Sequence, residues 1–196
     1  MKTEQTIMTN SEKGINEVLT ATEKLGCDYG LDKKSVLHLR LLAEELFGLM
    51  RGIAGNTDAE YKIAAEDKKF ELHLKSEVKM TDEMREKFLT ASSSGKNAAA
   101  VGFTGKIRVF VANAMLSIKE MAPYAVMNTA SAYTPGEASV WTMSEYRSEV
   151  LRAAAGSADA KNAWDELEKS VIAKIADDVK VSIVGKNVEI IIYKAF

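Results

Sequence analysis

The sequence predicts an α+β domain, and two observations carry that reading. Two pairs of short segments, 59–65 with 70–78 and 179–184 with 188–193, alternate apolar and polar residues around turn formers, as half-buried hairpin strands do. Before and between them, apolar residues recur every three or four positions over 11–25, 36–53 and 159–176, the period of amphipathic helices. The chain has 196 residues, 46% hydrophobic and 28% charged, which suits one folded domain over 1–196 and excludes a disordered chain.

Each element has its own local signal. Thr3–Thr9 carries Thr6-Ile7-Met8 at its centre and leads into the N-cap signal Asn10-Ser11, predicting a strand and then a helix over 11–25. Ile15, Val18, Leu19, Thr22 and Leu25 form its stripe, and Gly26 is expected to close it. Asp32 caps a long second helix whose Val36, Leu39, Leu42, Leu46, Leu49 and Ile53 share a face, with Gly52, Gly55 and Asn56 ending it. In the first hairpin, Tyr61, Ile63, Phe70, Leu72 and Leu74 turn inward across Glu66-Asp67-Lys68-Lys69. A helix capped at Thr81-Asp82-Glu83 runs to about residue 90, and 91–97 is a small, polar loop. Residues 98–127 resume a helical pattern, Pro123 and Pro135 punctuate the chain around its end and beyond, and 140–143 is a short apolar stretch around Trp141. Helices over 144–155 and 159–176 precede the closing hairpin, which turns at Gly185-Lys186-Asn187.

Charge and special residues narrow the function classes. The formal net charge is −2 with no Lys/Arg cluster, so nucleic-acid binding is not expected. The apolar stretch 107–127 is interrupted by Arg108, Asn113, Lys119 and Glu120, which disqualifies it as a bilayer span. No secretory pattern opens the chain, so a cytoplasmic protein without membrane partners is expected. Cys27 is the single cysteine, ruling out an internal disulfide, and is expected to be a packing residue.

The stretch from Ile7-Met8-Thr9-Asn10-Ser11 through Tyr29-Gly30-Leu31-Asp32 to Leu41-Leu42-Ala43-Glu44-Glu45-Leu46 resembles the histidine-kinase-like ATPase (GHKL) superfamily. The anti-sigma-factor serine kinases are the most similar branch, and the resemblance covers residues 5 to about 80. It implies a two-layer α/β sandwich, a mixed sheet with helices on one face, and a divergent, mostly helical insertion at about 81–155.

In that family the long helix carries a Glu, acting as base or polarising residue, and four residues later a Mg²⁺-binding Asn. Glu45 matches the Glu, but Leu49 stands at the metal position and has no oxygen for a hard cation. The family's Asp-x-Gly-x-Gly, which reads the adenine amino group and admits the nucleotide, falls on Ser76, Val78 and Met80, with Glu77 one place out of step. Side chains at such glycines close the approach path. Gly102-Phe103-Thr104-Gly105-Lys106 is a faint echo of the second glycine-rich segment, which would cover phosphates at a helix start. Ser94-Gly95-Lys96-Asn97 is not a P-loop, since Thr90 and Asn97 occupy defining positions.

The resemblance therefore implies a non-catalytic or weakly nucleotide-binding regulatory protein working through protein contacts, with a sigma factor or anti-anti-sigma protein as partner and homodimerisation compatible with the family's habits. The alternative is an active ATP-dependent serine kinase using Glu45 and a divergent site, with ATP and magnesium as cofactors. From the residues alone, Glu45 reads first as a solvated charge beside the apolar stripe. Glu44 points about 100° away from it, so the two carboxylates cannot act as a pair. His38 and His73 have no His or Cys at ligand spacing, so no metal site is expected and both read as surface residues.

Overall fold

The computed structural model describes residues 3–9, 12–55, 57–93, 103–120, 138–154 and 158–196. In order they form β1 (Thr3–Thr9), α1 (Glu12–Asp28), α2 (Lys33–Ala54), β2 (Ala59–Glu66), β3 (Lys69–Glu77), α3 (Asp82–Ser93), α4 (Phe103–Glu120), β4 (Ser139–Thr142), α5 (Met143–Ala154), α6 (Ala158–Lys169), α7 (Val171–Ile175), β5 (Asp178–Val184) and β6 (Asn187–Ala195). The domain is α+β, built on a six-stranded sheet of order β1-β2-β3-β6-β5-β4.

All five strand pairings are antiparallel, which corrects the expected mixed sheet. The connections explain it. β2 and β3 are joined by a two-residue turn at Asp67 and Lys68, both with positive φ, and β5 and β6 turn at Gly185, φ 61°; such turns enforce antiparallel pairing. Between β1 and β2, α1 and α2 pack as a helical hairpin that returns the chain to the end it left. A parallel neighbour would need a crossover to the opposite end.

The α1–α2 corner shows a second correction. Gly26 lies inside α1, and the helix ends instead at Gly30, φ 69°. Gly30 N donates to Cys27 O at 2.9 Å and Leu31 N to Gly26 O at 3.1 Å, the paired bonds of a Schellman cap. At Gly26 a Cβ would stand 3.4 Å from both Leu39 Cδ2 and Val36 Cγ2, so this glycine serves close helix approach and not termination. α2 begins as expected, with Asp32 Oδ1 accepting from Ser35 N at 2.7 Å, which holds the carboxyl below its usual pKa. It ends at Gly55, φ 71°, with Gly52 inside the helix. α3 continues to Ser93, beyond the expected end, and Asn56 and 94–97 lie outside the described residues.

One apolar cluster joins the sheet's inner face to the helices: Tyr61, Ile63, Phe70, Leu72, Leu74, Val181, Ile190 and Ile192 meet side chains of α1, α2, α4, α5, α6 and α7. A buried polar link inside it is closed on itself, Tyr61 Oη and Thr22 Oγ1 lying 2.8 Å apart. Burial pushes the Tyr61 hydroxyl's pKa up, the Thr22 bond opposing it, and Phe47 stacks on the ring at 5.8 Å. The single helix expected over 159–176 breaks at Ser170, whose extended backbone and Oγ, accepting from Ala173 N at 3.4 Å, start α7 afresh. The stretch around Trp141 is an edge strand, β4, packed through Phe103 of α4 at 5.7 Å between ring centroids.

Among the described residues, no helix is long and apolar enough to cross a membrane.

Candidate functional site

The family-matched positions lie where the C-terminal half of α2 meets the end of β3 and α4. At 100° per residue, positions 45 and 49 are about 40° apart on α2, yet their environments differ. Leu49 is 3% exposed and belongs to the core cluster. Glu45 is half-buried and has no hydrogen-bond or ion-pair partner among the described residues. Its neighbour Glu44 points elsewhere, onto Arg40 at 3.1 Å, and Arg40 also holds Glu23 at 2.9 Å.

Ser76, which the resemblance sets at the base-reading position, is 3% exposed. Its Oγ donates to Asp58 O at 2.8 Å and lies 2.8 Å from Thr57 Oγ1. A hydroxyl has a single proton; with that proton on Asp58, Thr57 is the donor in the second bond. Ser76 is thus committed to fastening the 57–58 segment to β3. Val78 is 1% exposed in the core, its N–H fixed to Lys186 O at 2.8 Å, and Met80 packs against the same cluster. Leu49, Val78 and Met80 all contribute to one apolar mass where the family pattern has a metal ligand and two glycines. Glu77 is exposed. Gly105 is buried in the first turn of α4, while Gly102 lies outside the described residues.

One turn beyond Gly105 stands a group that the sequence marked only as an interruption of an apolar run. Arg108 is half-buried, its guanidinium 6.0 Å from the Phe88 ring centroid of α3. It occupies the notch at Gly52 of α2: Cζ and Nε lie 3.1 Å from where a Cβ would begin, and Nη2 closer still. Its Nε is buried with no hydrogen-bond partner among the described residues, a state costing about 1–3 kcal/mol. The C-terminal end of α2 offsets part of the charge, typically about 0.3–1 kcal/mol, and no carboxylate pairs with the guanidinium among the described residues. The contact needs both the arginine and the missing side chain at position 52, positions more than fifty residues apart that no local pattern connects.

Other candidate positions fall elsewhere. His73 lies on the sheet face opposite the helices, as its alternation predicted, but is only 18% exposed: Nδ1 is 3.1 Å from Glu189 Oε1 and Nε2 3.3 Å from Glu71 Oε2. Nearby Tyr193 has its pKa raised, by burial first and then by Glu71, Asp178 and Glu189. His38 is half-buried on α2. Cys27 is exposed, correcting its expected packing role; it lies on the outer side of the last turn of α1, between the core-facing Leu25 and the cap. A depression of about 180 Å³, lined by Ala64, Ala65, Glu66, Asp67, Lys69 and Glu71, lies at the far end of the β2–β3 hairpin from Ser76. Among the described residues no group of three His, Cys, Asp or Glu could hold a metal ion. No protein-family model matches the chain, and no curated protein matches it.

Proposed function

We propose that this chain is a non-catalytic or weakly nucleotide-binding regulatory protein of the anti-sigma-factor-kinase kind, cytoplasmic and acting through protein contacts. Its partner in this reading is a sigma factor or an anti-anti-sigma protein, and a homodimer fits the same scheme. The observation that carries the reading is the burial of Leu49 and Val78 in the core, 3% and 1% exposed. These positions would hold the metal ligand and the first glycine of an ATP site, and here they exclude water and have no oxygen to offer. The commitment of Ser76 to Thr57 and Asp58 supports it at the base-reading position.

One observation favours the alternative, an ATP-dependent serine kinase with a divergent site: Glu45 is half-buried and uncommitted among the described residues, as a base beside a phosphate would be. Titration with ATP by calorimetry, with and without Mg²⁺, separates the two. The regulatory reading expects binding no tighter than about millimolar and indifferent to Mg²⁺. Micromolar, Mg²⁺-dependent binding that disappears in Glu45→Ala would replace it with the kinase.

A further inference from the structure

A guanidinium that is half-buried, wedged into a glycine notch and free of any carboxylate among the described residues invites a counter-charge. The Phe88 ring and the Gly52 backbone border Arg108, and its Nε is sealed from solvent with no acceptor among the described residues. The partial charge of the α2 terminus is about half an elementary charge at most, so it does not neutralise the guanidinium. Of the acids on α3, Glu83 is taken by Lys87 at 2.7 Å. With Nε sealed, the Nη edge is the part a ligand can reach, and a planar fork of N–H donors suits an oxyanion better than it suits water.

We propose that Arg108 is an anion-binding residue, taking a phosphate-type oxyanion on its Nη edge at the junction of α2, α3 and α4, without a base-reading partner. The oxyanion can come from a free phosphate compound or from the phosphate tail of a nucleotide. Because Ser76 is committed and Val78 and Met80 are packed into the core, the base adds nothing to binding. This inference does not rest on the regulatory reading, since an anion at Arg108 suits either a regulator or an enzyme.

The test is calorimetric titration of the full chain with sodium pyrophosphate and, separately, ATP, at constant ionic strength. Both are expected to bind with affinities within about threefold of each other, and both to weaken at least about tenfold in Arg108→Met. That variant replaces an uncompensated charge by an apolar chain of similar length and is expected to fold, which circular dichroism checks. Arg108→Gln, which keeps a polar group, gives the same loss and decides the matter if the Met variant is misfolded. Absence of pyrophosphate binding up to about 10 mM, or affinity unchanged in both variants, overturns the proposal. ATP binding about tenfold or more tighter than pyrophosphate overturns its base-independence.

Discussion

The two ends of the α2–sheet junction treat buried polar groups in opposite ways. At the β3 end, Ser76 is buried and both of its hydrogen bonds are made inside the molecule. At the α4 end, Arg108 buries an Nε that bonds to nothing among the described residues. The first arrangement is self-sufficient, because a satisfied hydroxyl gains little from a ligand. The second leaves a guanidinium with no carboxylate partner among the described residues, and its Nη edge is a planar fork of N–H donors open to an oxyanion. The contrast places the capacity for ligand binding at Arg108 and the sealed, structural role at Ser76, Val78 and Leu49.

An asparagine at position 49, as in the family that the sequence resembles, tests the sealed end most severely. Leu49→Asn removes a fully packed side chain and inserts an amide with no partner, and is expected to cost about 3–4 kcal/mol in denaturant unfolding. Mg²⁺-dependent ATP binding should not appear with it, because Val78 and Met80 still fill the approach. A loss below about 1 kcal/mol would show that position 49 is open to solvent and would dissolve the contrast.

Ser76→Ala probes the same end more gently. It strips Asp58 O and Thr57 Oγ1 of their shared partner, but residues 57 and 58 are exposed, so water can replace it. The expected loss is about 1 kcal/mol, with no change in pyrophosphate affinity. A change in that affinity would mean that the two ends form one site.

Much of the scaffold was legible in the sequence, for reasons that separate it from the site. Asp32, the Asp67-Lys68 turn and the alternation around Leu72 and Leu74 act locally, within a few residues or one strand period, so pattern reading reaches them. The structure goes against pattern where tertiary contact decides. Gly26 has the sequence look of a helix stop but serves packing against Leu39 and Val36. Ser170 breaks a continuous apolar stripe by capturing a backbone N–H. β4 depends on a ladder with β5 that four residues cannot announce, and the antiparallel sheet arises from a helical hairpin whose return path periodicity does not encode. The burial of Leu49 was readable because it continues the apolar stripe of α2. Arg108 was not, because its meaning lies in Gly52 and Phe88, which reach it from two other helices.

The smallest expected effect gives the sharpest comparison, because it sets two glycines of α2 against each other. Gly48 is exposed, and nothing lies within 4 Å of where its Cβ would stand, so Gly48→Ala gains helix propensity alone, about 0.5–1 kcal/mol. Gly52→Ala gains the same propensity but drives its new methyl into the Arg108 guanidinium. The obstructing atoms are the far end of a flexible side chain, so the arginine swings away at a cost that offsets the gain and leaves a net change near zero, within about 0.5 kcal/mol. In an Arg108→Met background, a thioether chain can yield to the methyl, and Gly52→Ala should recover the stabilisation seen at Gly48. This double-mutant cycle, read by thermal or denaturant unfolding, isolates the Gly52–Arg108 contact from helix propensity. If Gly52→Ala stabilises the wild-type chain as much as Gly48→Ala does, the guanidinium is not seated in the notch, and the open end of the junction loses the geometry that defines it.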